Sequence, residues 1–188
     1  MSTESLSTFF AVLTLACAVG TVVAVALGVG AVLSPHSVWG AARDGLADVA
    51  LWLGGLVALV TMLGSLYYSL VAHFEPCELC WYQRICMYPL APMLLIAAAR
   101  RDRRIRMYAA VPVVIGLVIA VYHTQLQAFP EQHSFCQLTN PCTNRYVWRF
   151  GFVSLPLMDL VAFCFVATML WLAASGTGSM KTQEDDNT

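Results

Sequence analysis

The chain reads Glu75-Pro76-Cys77-Glu78-Leu79-Cys80-Trp81-Tyr82-Gln83-Arg84, then an uncharged apolar run over residues 85–99, then Arg100-Arg101-Asp102-Arg103-Arg104-Ile105-Arg106. A helix needs roughly 20 apolar residues, at about 1.5 Å each, to cross a bilayer. Residues 85–99 are too few. The helix must therefore extend back through Arg84 toward Cys80. Cys80 then falls in the first turn, with Arg84 one turn later on the same face. The stretch is a membrane helix with a cysteine pair at one end and an arginine cluster at the other.

Outward from this helix, further apolar segments lie at about residues 9–33, 49–72, 107–127 and 153–174. The 188 residues are 59% hydrophobic and 11% charged. Soluble domains hold about 45–50% apolar and about 25% charged residues, so an ordinary soluble domain is excluded. Residues 9–33 compete with a signal-peptide reading. Their flank, Met1-Ser2-Thr3-Glu4-Ser5-Leu6-Ser7, has no basic residue, and the run is long for a signal core, which favours a retained helix. The expectation is an all-α membrane protein of five spans. Its parts are an N-terminal helix and cytoplasmic loop (1–45), a four-helix unit (46–174) and a disordered acidic tail (175–188). The net charge of −1 gives no pointer to nucleic acid, and none is expected as a partner.

Positive charge marks the cytoplasmic side of short loops. Five of the ten Lys and Arg residues lie in the loop at residues 100–106, which should be cytoplasmic. By parity, Cys77, Cys80, Cys136 and Cys142 then lie in external loops, where disulfides form and persist. The commonest reading of such pairs is structural. However, Cys77 and Cys80 close a very small ring, so their disulfide removes little chain entropy and is a poor staple. A C-x-x-C pair at a helix start near a guanidinium favours a thiolate instead, here at Cys80. Arg84 is either an interfacial anchor or a group that stabilises negative charge on a lipid-soluble acceptor. Zinc uses the same cysteine spacing, and all four external thiols together would make a four-cysteine zinc site.

The loop at residues 128–152 is long for a helix connection. Its Asn140-Pro141 step favours a turn that brings Cys136 and Cys142 together. An exposed disulfide there can exchange with a soluble partner and pass electrons inward. His123 lies at a depth similar to Arg84, as a hydrogen-bonded interfacial residue or as an acceptor contact. Asp159, inside the last segment, is a functional candidate because intramembrane acids are costly. His73, His133, Arg145 and Arg149 read as solvated loop residues. Cys17, Cys86 and Cys164 read as packing thiols, and Trp148, Phe150 and Phe152 as an aromatic belt.

Residues 75–84, continuing through Met87-Tyr88-Pro89, resemble the disulfide bond formation protein B (DsbB) family, in particular its BdbC-like branch. Gly64-Ser65-Leu66-Tyr67, His123, the Cys136/Cys142 pair and Phe150-Gly151-Phe152 extend the resemblance over about residues 48–174. It implies a DsbB-type four-helix transmembrane bundle, with the first helix as an addition. It implies a quinone-dependent thiol oxidase in the bacterial cell membrane, with menaquinone or ubiquinone as cofactor. The implied partner is a thioredoxin-like oxidase of DsbA or BdbD type, and the redox loops are extracytoplasmic. This electron chain is a known example of kinetically maintained oxidation and not a deduction from spacing. By position, Cys80 resembles the thiol beside the quinone and Cys77 its partner. Arg84 and His123 resemble quinone-site residues. Cys136 resembles the cysteine that meets the oxidase, and Cys142 the one that connects to Cys77. The close spacing of Cys136 and Cys142 departs from members with widely separated loop cysteines.

The rivals are a membrane metal-binding or transport protein using external Cys and His ligands, and a scaffold with two staples. A vitamin K epoxide reductase-like protein is closer in chemistry, but there the loop pair typically precedes the C-x-x-C. No metal is expected.

Overall fold

The computed structural model describes residues 3–34, 38–132, 136 and 140–175. Five helices account for most of them: α1 (Thr3–Leu33), α2 (Val38–Leu70), α3 (Glu78–Ala99), α4 (Ile105–Ala128) and α5 (Leu155–Ser175). A two-residue hairpin, β1 (Trp148–Arg149) and β2 (Val153–Ser154), precedes α5. Its turn places Phe150 and Gly151 at φ of 52° and 79°. The positive φ suits Gly151, which has no Cβ to clash.

α2, α3, α4 and α5 pack in a ring, each against the next, with α5 returning to α2. α1 lies outside the ring against α5 and α2. The core is built at helical spacing: α3 buries Leu79, Gln83, Cys86, Met87, Leu90 and Leu94 toward its neighbours. Phe163, Met169 and Leu172 of α5 fill the facing side. The outer faces are also apolar. Val12, Val19 and Val22 of α1, and Val111, Val114 and Val118 of α4, are exposed. Such a surface suits lipid, and helices satisfy their own backbone there.

Among the described residues, α1, α2, α4 and α5 are long and apolar enough to cross a membrane. The expected third span is a helix, but Glu78, Gln83 and Arg84 in its first two turns keep it below that apolar standard. The protein is an all-α, multi-pass membrane protein.

α2 differs most from expectation. It begins at Val38, so the loop expected before Gly45 is helical from that point, and the division drawn between residues 45 and 46 falls within α2. Counting apolar residues locates only the part of a helix that sits in lipid. Here Arg43 pairs with Asp44 (2.8 Å), and Asp48 takes a hydrogen bond from Arg103 (2.6 Å), so the polar turns continue the helix at the arginine end. The acidic tail after Ser175 lies outside the described residues, as does His133.

Candidate redox site

All four loop cysteines gather at one end of the bundle, opposite the arginine loop. Cys77, Cys136 and Cys142 share a buried apolar cluster with Leu79 and Leu126, and Cys80 packs against it. α3 begins here because Cys77 caps it. The Cys80 N–H donates to Cys77 Sγ at 3.4 Å, the role that a serine oxygen usually fills at an N-cap. Cys77 and Cys80 are free thiols with Sγ atoms 2.9 Å apart.

The Cys77 thiol is pushed well below the ordinary range. The hydrogen bond from Cys80 is the largest cause; burial opposes it, and His123 adds to the lowering. The helix start contributes in the same direction. The sequence points to a thiolate on Cys80, helped by Arg84. In the structure Arg84 is engaged elsewhere. Its Nε donates to Ser65 Oγ (2.9 Å), and its Nη2 donates to the Ser65 carbonyl (3.2 Å) and to Ser69 Oγ. The guanidinium also lies 5.3 Å from the Trp81 ring centroid. α2 thus fixes Arg84 from the side, within reach of the site interior.

His123 is 1% exposed. Its Nε2 lies 3.1 Å from the Cys142 carbonyl oxygen and 3.7 Å from Cys77 Sγ, and its Nδ1 lies 3.1 Å from Gln83 Oε1. Both ring nitrogens thus face a carbonyl-type oxygen, and Nε2 also faces the Cys77 sulfur. His123 thereby ties α4 to α3 and to the second cysteine loop. This is the hydrogen-bonded reading of His123, with its third contact on a redox sulfur.

Cys136 and Cys142 form a disulfide with Cα atoms 6.0 Å apart. The expected exposed disulfide is in fact buried, with Cys136 8% and Cys142 1% exposed. Asn140 Nδ2 donates to the Glu75 carbonyl (3.3 Å), and Gln127 Nε2 donates to the Asn144 carbonyl (2.9 Å), which hold the loop down. Arg145 donates to the Gln127 carbonyl and lies over Trp148 at 4.2 Å, and Arg149 pairs with Glu4 at 3.5 Å. These two arginines are therefore anchors, where solvated loop residues were expected. His73 is exposed.

Beside Cys80 the helices line a half-open cavity of about 340 Å³. Cys80, Gln83, Arg84, Tyr88, His123 and Asp159 border it, and its other walls are mainly apolar. Ligand pockets begin at about 300 Å³ and combine apolar walls with a few aimed polar groups. Gln83 Nε2 and Tyr88 Oη are buried with no hydrogen-bond partner among the described residues. Two unspent donors in one apolar cavity fit a flat acceptor with carbonyl oxygens. Of these residues, Gln83 and Tyr88 carried no distinct signal in the sequence beyond the motif itself.

A metal has a smaller donor set. Cys77, Cys80 and His123 offer three ligand atoms within 4.8 Å of one another. The four-cysteine alternative is not formed, because Cys136 and Cys142 are bonded to each other. Cys17 borders the cavity, Cys86 is buried in the core, and Cys164 is half-buried.

Comparison with known proteins agrees with this chemistry. The chain is 40% identical over 126 residues to Disulfide bond formation protein C of Bacillus subtilis, covering 66% of this chain and 91% of the relative. It is 40% identical over 131 residues to a Probable disulfide formation protein of Coxiella burnetii, covering 68% and 89%. It is 42% identical over 114 residues to a Probable disulfide formation protein C of Halalkalibacterium halodurans, covering 59% and 82%. No solved structure matches it significantly. The family described as Disulfide bond formation protein DsbB matches residues 47–174, and the chain belongs to that family of membrane disulfide-forming proteins.

Proposed function

We propose that the protein reoxidises an extracytoplasmic thioredoxin-like oxidase and passes the electrons to membrane quinone. The observation that carries this reading is the position of the free Cys77/Cys80 pair. A disulfide lies on one side of it and an apolar cavity with unspent donors on the other. The arginine loop at the opposite end supports an extracytoplasmic position for the cysteine end.

The steps balance as three two-electron exchanges. The reduced partner's dithiol attacks Cys136–Cys142, leaving the partner oxidised and two thiols on this chain. Cys136, the more exposed of the two, is the sulfur a partner reaches first. The new Cys142 thiolate then attacks the Cys77–Cys80 disulfide, and displacement by Cys136 re-forms Cys136–Cys142 and leaves a Cys77–Cys80 dithiol. The Cys77 thiolate accepts the hydrogen bond from Cys80; transfer of that proton moves the thiolate to Cys80, which borders the cavity. Gln83, Tyr88 and Arg84 supply donors and positive charge around the acceptor's oxygens. A menaquinone or ubiquinone held among these residues would supply the two-electron, two-proton acceptor needed for the Cys77–Cys80 disulfide to form again.

The test uses detergent-purified protein with a reduced thioredoxin-like oxidase and a short-chain quinone, following quinone absorbance. Wild type is expected to turn over and Cys80→Ser to stop. Normal turnover in Cys80→Ser refutes the role of that thiol. The metal-binding alternative draws on the Cys77, Cys80 and His123 cluster. Stoichiometric zinc on the reduced protein, with no quinone reduction, favours it.

A further inference from the structure

The DsbB-family match begins at residue 47, so α1 is an addition to the family's unit. Yet α1 reaches the cavity. Phe10, Leu13, Thr14 and Cys17 all border it. They stand at i, i+3, i+4 and i+7, which is one stripe of a helix. α1 also packs on both α2 and α5, so this stripe covers the side of the cavity that lies between those two helices.

α1 is seated firmly enough to act as a wall. Phe10 rests where Gly64 of α2 leaves room, since a Cβ on Gly64 would come 2.8 Å from its ring. Further along, a Cβ on Gly28 would come 2.2 Å from the Trp171 ring of α5. Small residues allow this close approach of membrane helices. At the cysteine end, Tyr68 Oη donates to Ser7 Oγ (3.2 Å), and Arg149 pairs with Glu4. Thr14 spends its hydroxyl on the Phe10 carbonyl (2.8 Å), so α1 offers the cavity an apolar face.

We propose that α1 is the fifth wall of the acceptor site. Its Phe10, Leu13, Thr14 and Cys17 face a flat, apolar ring acceptor, limit its size, and cover its side between α2 and α5. This inference rests on the cavity being the quinone site. It adds that affinity for the acceptor depends on residues outside the family's shared helices.

The test compares Leu13→Trp with Val12→Trp. Leu13 borders the cavity, while Val12, on the same helix, is 53% exposed and faces outward. The probes are menadione and a short-chain ubiquinone, with reduced thioredoxin-like oxidase as donor. A second readout is reduction of Cys136–Cys142 by that donor without quinone. Leu13→Trp is expected to raise the KM for the quinone at least about tenfold, because an overfilled cavity excludes part of its ligand. Val12→Trp should match wild type, and both variants should keep normal reduction of the loop disulfide. Equal KM values in wild type and Leu13→Trp overturn α1's part while leaving the quinone reading intact. Equal impairment of the two variants also overturns it, since α1 then acts only through its general integrity. If wild type itself reduces neither probe, the quinone reading fails and this inference fails with it.

Discussion

The two cysteine pairs of this protein sit side by side but are built differently. Cys77 and Cys80 belong to a helix end, where a cap, an imidazole and a neighbouring thiol determine which sulfur holds charge. Cys136 and Cys142 belong to a loop, and what fixes them is their own bond and a few side-chain hydrogen bonds to carbonyls. The first pair borders a cavity through Cys80; the second borders the first. Adjacent cysteine pairs are thereby set up differently: one is a free dithiol tuned by its surroundings, and the other is a disulfide held in a loop.

The strongest way to break this comparison is to remove the loop pair. The double variant Cys136→Ala/Cys142→Ala is expected to lose all quinone reduction driven by a protein dithiol. Reduction driven by a small dithiol such as dithiothreitol should persist, because Cys77 and Cys80 remain. Loss of both activities in a folded variant, judged by circular dichroism, would show that the pairs do not act separately.

A smaller effect sharpens the electrostatic difference. His123→Ala removes an imidazole that helps to hold the Cys77 thiol low and should raise it only part of the way, because the hydrogen bond from Cys80 remains. In the wild type, alkylation of reduced Cys77 should stay level as pH falls through the ordinary thiol range, about 8.5. In His123→Ala, the rate should begin to fall at a higher pH than in the wild type, because the thiolate is protonated sooner. Mass-spectrometric alkylation profiles measure this. Identical profiles would remove His123 from the site's electrostatics.

The smallest effect concerns Arg84. Ser65→Ala deletes the hydroxyl that holds its Nε. Losing one hydrogen bond to a charged group by about 1 kcal/mol corresponds to about a fivefold weaker hold on the acceptor. A rise in quinone KM with unchanged loop-disulfide reduction is the expected pattern.

Much of the fold was legible because lipid imposes a one-dimensional rule. The length of residues 85–99 alone pulled the start of α3 back to the cysteines, and Cys80 is indeed in its first turn. The start of α2 was not legible, because a helix can continue past the membrane on ion pairs such as Asp48 with Arg103. The site divides the same way. The cysteines, Arg84 and His123 announced themselves by residue type and spacing. Gln83 against His123, Ser65 against Arg84, and Cys17 against the cavity are contacts between different helices, and no local period encodes them. The choice of Cys77 as the charged sulfur also depended on the side chains that turn toward it, including one from α4.

The docking of α1 on α5 also bears on how the protein is made. α5 is the last of the five helices to be synthesised, and α1 the first. Until α5 enters the bilayer, α1 lacks one of the two surfaces it rests on. Contacts between elements so far apart in sequence form late. A nascent chain therefore carries its reactive thiols before it carries a complete cavity. Completion of the last helix is the moment at which the cysteine pairs and the whole cavity first coexist in one molecule.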